Sequence, residues 1–366
     1  MRISVEKESL LIGITAAQKA VATKTTMPML ECFHLVAKNY NLTISATDLD
    51  LGIEYRVNAD IKEEGEVTIS AGIFSEIIRK LPESTIELST NDQNLLIIEC
   101  EGSLFNVVTG NNEDFPVFPE VNVEQSIEIK QNVLKEMIRK TIFAVGIDES
   151  RPIFTGCLIE KKNDMLNMVA LDGFRLALQT KVLVNENLGD FKAIIPGRTL
   201  NEISKILMDT EDIVKIGVSK NQGIFEMPNC TAVTRVLEGE FLDYERAIPK
   251  EKELRVTVDK SILLSSLERA AVMSRDEKQL PVKVTIADSL MVIECAVQSG
   301  NVREEVVVES VGNNLEIGFN PKYLIDAVKA VEEGKITLDF GSSISPCVIR
   351  PEEGYEYTYM VLPVRI

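Results

Sequence analysis

One histidine, His34, is present in 366 residues, so histidine-based acid–base chemistry and histidine-rich metal sites have almost nothing to work with. It lies inside Cys32-Phe-His-Leu-Val and reads as a partly buried strand residue. Six cysteines, Cys32, Cys100, Cys157, Cys230, Cys295 and Cys347, are widely scattered. With no CxxC pair and no ligand spacing they are expected to be small buried apolar residues in a reducing compartment. The patterns GxxxxGK[ST], GxGxxG after a strand and GxSxG are missing, and no carboxylate set has metal spacing. The expectation is a protein that is not an enzyme and uses no cofactor and no metal; Asp172, in Leu-Asp-Gly-Phe, suits a turn better than catalysis. No run of about 18 apolar residues would span a membrane. The first residues, MRISVEKESL, lack the apolar stretch of a secretory signal, and a cytoplasmic, soluble protein is expected. Lacking both signal and disulfides, the chain also fits poorly with a surface-assembly protein built of β-rich repeats. Positive charge is short: 39 Lys and Arg against 57 Asp and Glu leave −18, which at face value opposes nucleic acid as a partner.

What is present is a repeat. ISVEKESLLIGITAAQKAV from Ile3, IEIKQNVLKEMIRKTIFAV from Ile127 and VTVDKSILLSSLERAAVM from Val256 share a strand, a polar start and helical apolar spacing. Val5, Ile129 and Val258 are 124 and 129 residues apart. A second set starts at Val67, Ala193 and Glu316; its positions Ile69, Ile195 and Phe319 are 126 and 124 residues apart. The steps have the size of a domain. The implied domains are 1–123, 124–251 and 252–366, each made of two half-units with one helix and several strands. No flexible Gly/Ser linker separates them, so rigid docking is expected.

Leu10, Leu11, Ile14 and Ala17 share a helix face, as do Leu134, Met137, Ile138 and, less perfectly, Thr141. Asp259 and Asn320 are expected N-caps, with Pro321 in a first helical turn. Segments such as Leu42–Ala46, Thr85–Ser89, Asn94–Cys100 and Lys335–Phe340 alternate as strands do. The fold class is therefore α+β, with three similar domains, each carrying two helices packed on antiparallel sheets.

Charge is unevenly distributed. The six expected helices, 7–21, 72–80, 131–145, 198–208, 259–273 and 321–331, carry +1, +1, +2, +1, 0 and +1, so the remainder of the chain carries −24. If all six helices share one face, that face is mildly basic and would attract a polyanion, while the acidic remainder would repel it. Attraction of that size would be weak, non-specific and salt-sensitive.

Six phrases, in order, resemble those of bacterial DNA sliding clamps, the beta subunits of the replicative polymerase III holoenzyme. They are Thr26-Met-Pro-Met-Leu, Ala46-Thr-Asp-Leu-Asp-Leu, Glu113-Asp-Phe-Pro, Ala170-Leu-Asp-Gly-Phe-Arg-Leu-Ala, Gly239-Glu-Phe-Leu-Asp-Tyr-Glu-Arg and Tyr359-Met-Val-Leu-Pro-Val-Arg-Ile. The resemblance spans the chain. It implies the DNA clamp fold, a head-to-tail dimeric ring of two three-domain chains with helices inside, around double-stranded DNA. It implies a processivity factor opened by an ATP-hydrolysing clamp loader. The replicative polymerase alpha-type subunit, other polymerases and repair proteins would dock through linear motifs in a pocket between the second and third domains.

Carried onto this chain, that pocket comprises Phe154, Leu171, Gly173, Phe174, Arg175, Leu176, Leu242, Arg246, Ala247, Ser345, Met360, Leu362, Pro363, Val364 and Arg365. The apolar members would form a slot for Leu or Phe anchors, Gly173 would permit close backbone approach, and Arg175, Arg246 and Arg365 would hold polar groups at the rim. Many family members have His where this chain has Phe174, and Pro where it has Leu242; both changes make the slot more apolar. Lys24 matches a basic family position. In Arg151-Pro-Ile-Phe only Arg151 remains as a DNA-facing candidate, because the aromatic contacts of the family are replaced. Arg79, Lys80, Arg139, Lys140, Arg198 and Lys205 join the DNA-facing set on helix charge alone. Val272 and Met273, followed by Ser-Arg-Asp-Glu-Lys, resemble the third-domain side of the dimer seam, with Phe105 and Val107 opposite.

Overall fold

The computed structural model describes residues 1–183, 189–274 and 280–366, so Arg275–Lys278 of the seam phrase lie outside the described residues. Six helices form where the apolar spacing predicts them: α1 (Lys7–Ala17), α2 (Ala71–Lys80), α3 (Gln131–Arg139), α4 (Gly197–Ile206), α6 (Lys260–Ser274) and α7 (Pro321–Ala330). A short helix between the second and third sets, α5 (Tyr244–Ala247), is additional. Of the expected face of α1, Leu10, Ile14 and Ala17 are fully buried; Leu134, Met137, Ile138 and Thr141 are buried likewise. Asn320 caps α7 by accepting from the Lys322 N–H at 3.0 Å, with Pro321 at the first position. Asp259 accepts from Ser261 N and Ile262 N at 2.8 and 3.1 Å.

All strand pairings among the described residues are antiparallel. The chain divides into two compact units: Met1–Asn132 with Glu202–Val236, and Val133–Asn201 with Leu237–Ile366. The division cuts the second repeat because its strands extend two different sheets.

In the first unit, strands 125–130, 213–218, 222–226 and 230–235 of the second repeat continue into strands 51–58, 41–47, 32–38 and 65–70 of the first. The joint is Cys230–Arg235 against Leu51–Asn58. The other sheet runs 60–63, 2–6, 85–90, 95–100, 103–108 and ends on Ser103–Val108. Helix α1 packs on Leu51–Asn58 and beside α2. Gly13 is needed there, since a Cβ would stand 2.7 Å from Val57 Cγ2.

In the second unit, strands 191–196, 156–162, 165–171 and 175–182 continue into 357–361, 347–351, 335–340, 254–259 and 309–312. The joint is Arg175–Val182 against Tyr357–Val361. The smaller sheet, 300–307, 290–297, 282–287 and 315–319, ends on Gly300–Val307, and α6 and α7 pack together beside it.

Candidate protein-docking site and basic faces

The turn after strand Met165–Leu171 organises the candidate pocket in the second unit. Asp172 Oδ1 accepts from the Phe174 and Arg175 N–H groups at 2.9 and 3.0 Å, closing the Asp-Gly turn the sequence suggests. Gly173 has φ +91°, and a Cβ there would meet only Arg151 Nη1 at 3.7 Å. Its requirement is therefore left-handed backbone, not the close approach expected from sequence.

The turn projects Phe174 outward, 57 % exposed, with its ring stacked on Tyr323 of α7 at 6.2 Å and 20°. Arg175 points the other way. It is only 9 % exposed, with Nε 3.0 Å from Asp172 Oδ2, Nη1 2.6 Å from Asp326 Oδ2 and the guanidinium 4.6 Å from the Tyr323 ring centre. This corrects the rim role given to Arg175: the side chain is buried and committed to two carboxylates of the same unit.

Below the turn, Leu171, Leu176 and Met360 are buried in one cluster with Phe241 and Tyr244, and Phe154 packs against it. These predicted residues are thus brought together, chiefly as a floor. Leu242 is exposed on one flank beside Arg246, whose Nε lies 3.0 Å from Asp243 Oδ2, while Ala247 is half-buried. Ser345 shares a hydroxyl contact with Ser342 at 2.8 Å.

Tyr357–Val361, at the start of the tail, is a buried strand inside the nine-stranded sheet. Past it, Leu362 N donates to Phe174 O at 2.8 Å and Val364 N to Gly318 O at 2.9 Å. Leu362, Pro363 and Val364 are held half-buried and Arg365 is exposed.

Four supporting residues escaped the sequence reading. Tyr323 and Asp326 stand one turn apart on α7, and that spacing on a predicted helix was their only signal. Tyr244 anchors α5: its hydroxyl donates to Glu160 Oε2 at 3.0 Å and accepts from Asn167 Nδ2 at 3.1 Å. Burial and the nearby Glu160 carboxylate push the Tyr244 hydroxyl well above the usual tyrosine range, so it stays a donor. Glu160, nearly buried, also holds Lys162 at 3.1 Å.

Of the basic candidates, Lys24, Arg79 and Arg151 are exposed and make no ion pair among the described residues. Lys80 and Lys205 are exposed but paired with Glu76 and Glu202 at 2.9 and 2.6 Å; Arg198 is exposed and has a polar or electrostatic partner. Arg139 is paired with Glu332. Lys140 is a correction: it is 4 % exposed, with Nζ 2.6 Å from Glu136 and 3.0 Å from Glu332. Charge counting placed it on a DNA-facing surface, but burial commits it to the fold.

Phe105 is exposed and Val107 half-buried on the terminal strand Ser103–Val108. Val272 is exposed on α6, and half-buried Met273 lies against the Gly300 backbone. His34 is a half-buried strand residue whose Nε2 is 3.2 Å from Glu66 Oε2. All six cysteines are free and five are buried. Among the described residues, no helix is long and apolar enough to cross a membrane, and no group of three His, Cys, Asp or Glu is placed to hold a metal ion.

Three consecutive family models match: the DNA polymerase III beta subunit N-terminal domain at residues 1–119, its central domain at 128–243 and its C-terminal domain at 245–365. The beta sliding clamp of Halalkalibacterium halodurans is 32 % identical, and that of Bacillus subtilis 30 %, each covering all of both chains. Among solved structures, the Bacillus subtilis DNA polymerase sliding clamp superposes at a TM-score of 0.95 with 30 % identity, covering all of this chain and 99 % of that one. The Thermotoga maritima DNA polymerase III beta subunit superposes at 0.93 with 30 % identity and the same coverage. With the repeat, the sheet joints and these likenesses in agreement over its whole length, the chain belongs to the DNA polymerase III beta subunit family, the beta sliding clamps.

Proposed function

We propose that two copies of this chain close head to tail around double-stranded DNA and act as a replication processivity factor. The observation that carries this is the repeated joint. Strand four of the first repeat pairs with the last strand of the second (Leu51–Asn58 with Cys230–Arg235). Strand four of the second pairs with the last strand of the third (Arg175–Val182 with Tyr357–Val361). The same rule leaves strand four of the third, Gly300–Val307, and the last of the first, Ser103–Val108, at sheet ends. A second copy satisfies both, and pairing removes edges that otherwise invite aggregation. Val272 and Met273 would pack across this seam against Phe105 and Val107.

On this reading the domains are 1–123, 124–251 and 252–366, and the ring works in the cytoplasm without catalytic chemistry of its own. Lys24, Arg79 and Arg151 are its least encumbered DNA-facing cations, with Lys80, Arg139 and Lys205 contributing through ion pairs that can open, and exposed Arg198 beside them. Retention comes from closure, so contacts with phosphates can stay weak and salt-sensitive. Polymerase and repair proteins dock at Phe174, Leu242 and the Leu362–Arg365 tail over the Leu171, Leu176 and Met360 floor, with Arg246 and Arg365 at the rim. A clamp loader opens the ring using its own ATP hydrolysis.

The test is topological. The protein is loaded with a clamp loader and ATP onto nicked circular plasmid, washed in high salt, and the plasmid is then linearised. Retention on the circle followed by loss on cutting is expected. Equal loss before and after cutting would reduce the interaction to ordinary electrostatics and end the ring proposal.

A further inference from the structure

The ladders of the three repeats put their residues in correspondence. Followed across the sheet from Ile3, Ile127 and Val256, they arrive at Phe105, Ala232 and Tyr359 on the last strands. Followed from Thr68, Ile194 and Gly318, each directly before a repeat position, they arrive at Glu54, Leu178 and Arg303 on the fourth strands. The residues preceding these, Ile53, Ala177 and Val302, therefore correspond as well.

Both internal joints use the same register in these terms. Ala232 pairs with Ile53, and Tyr359 pairs with Ala177. The hydrogen bonds agree: Arg235 N donates to Asp50 O at 3.1 Å and Leu362 N to Phe174 O at 2.8 Å, again at corresponding positions. The side chains at the joints have little in common, with Cys230 opposite Tyr55 in one and Tyr357 opposite Gln179 in the other. The register is thus a property of the repeat and not of one set of contacts.

Applied to the two strands left at sheet ends, the same register sets Phe105 opposite Val302, Ser103 opposite Glu304 and Val107 opposite Gly300. The surroundings of Gly300–Val307 suit this. Gly300, Val302 and Glu304 alternate onto one face, each half-buried. Helix α6 lies over that face: Arg269 holds Glu304 at 2.9 and 2.5 Å, and Met273 lies against the Gly300 backbone. A Phe105 ring, 39 % exposed in the single chain, would settle on Val302 between the Arg269–Glu304 pair and Met273. A slip of two residues one way would set the ring against the Glu304 carboxylate; the other way it would meet Gly300, which has no side chain to pack.

We propose that the seam between two copies keeps the register of the internal joints, with Phe105 of one copy facing Val302 of the other and Ser103 facing Glu304. This makes Val302 and Glu304 seam residues, with the Arg269–Glu304 pair guarding the register. The proposal rests on the ring reading given above.

The experiment uses the full chain carrying pairs of cysteines, mildly oxidised at concentrations where the reduced variant sediments as a dimer. Covalent dimer is followed on non-reducing denaturing gels, with the parent and its own six cysteines as baseline. Ser103→Cys/Glu304→Cys and Phe105→Cys/Val302→Cys test directly opposed positions. By their place between the hydrogen bonds these are non-hydrogen-bonded pairs, with Cα atoms about 4.5 Å apart. Ser103→Cys/Val302→Cys and Phe105→Cys/Glu304→Cys test the diagonals, at roughly 7–8 Å and so beyond ready disulfide reach. The direct pairs are expected to cross-link at least tenfold faster than the diagonal ones. A diagonal pair that cross-links as fast as the direct pairs, or direct pairs that fail to cross-link in a sedimenting dimer, would overturn the register and leave the dimer standing. A parent chain that sediments as monomer at every concentration would end the ring reading and the register with it.

Discussion

Arg175 shows how a conspicuous residue can be recognised yet given the wrong task. Its motif, Leu-Asp-Gly-Phe-Arg-Leu, stands out in the sequence, and the Asp-Gly turn follows from local chemistry. What the guanidinium touches does not, because Asp326 arrives from a helix 151 residues away. The structure makes Arg175 the pin between the turn and α7, with Phe174 stacked on Tyr323, the ring that the guanidinium also approaches. Arg175→Met should destabilise the chain by about 3–5 kcal/mol, since it strands two mostly buried carboxylates. Adding Asp326→Asn should recover part of that loss, a coupling visible in urea unfolding midpoints. Strictly additive losses would mean the pair is incidental. Phe174→Ala, by contrast, removes an exposed ring and should leave the midpoint within about 0.5 kcal/mol of the parent.

At the scale of elements, α3 and α7 are tied at their C-terminal ends by Arg139, Lys140 and Glu332, with Glu136 one turn back. The hydrogen bond from Lys140 holds the Glu332 carboxyl below the ordinary glutamate value of 4.5. Burial works against the charge of Lys140, but its bonds to Glu136 and Glu332 outweigh this and raise it above 10.5. A depressed carboxyl stabilises the fold above its unfolded pKa and loses that contribution as pH falls through the folded value. A raised ammonium contributes below its unfolded pKa and fades above the folded one. The tie is therefore complete from about pH 4.5 to 10.5 and loosens on either side. Lys140→Met should lower the urea midpoint at pH 7, by on the order of 1–3 kcal/mol in stability, and flatten its fall toward pH 3. An unchanged acid slope would remove the tie from the account.

The elements themselves were largely legible. Six helices and most strands follow from apolar period and the in-phase repeat, because those patterns are local. The partners of the helix cations were not, since charge counting places a lysine on a face without knowing which carboxylate lies across from it. Nor did periodicity reveal that the second repeat would divide its strands between two sheets. Edge pairing is decided by the geometry of the joint, and alternation along Cys230–Arg235 or Tyr357–Val361 looks the same whichever strand lies alongside. The turn at Leu49, whose φ is +76°, was invisible for the opposite reason: Asp-Leu-Asp-Leu reads as alternation, while the backbone makes it a turn.

For the whole molecule, head-to-tail closure makes a prediction that a two-fold self-paired dimer does not share. Every copy would offer one edge of each kind, Ser103–Val108 and Gly300–Val307. Phe105→Lys/Val107→Lys spoils the first, and Val272→Ala/Met273→Ala thins the packing beside the second. The latter loses on the order of 3 kcal/mol of apolar burial, about a hundredfold in affinity. Either variant alone has only joints with one bad side and should sediment as monomer at micromolar concentration. Mixed, they can form one joint from two sound edges, while the other has both sides damaged. The mixture should therefore recover dimer mass yet fail to stay on closed circular DNA through a high-salt wash. Dimers of either variant alone would take these residues out of the seam, and a mixture that stays monomeric would rule out head-to-tail pairing of these two edges.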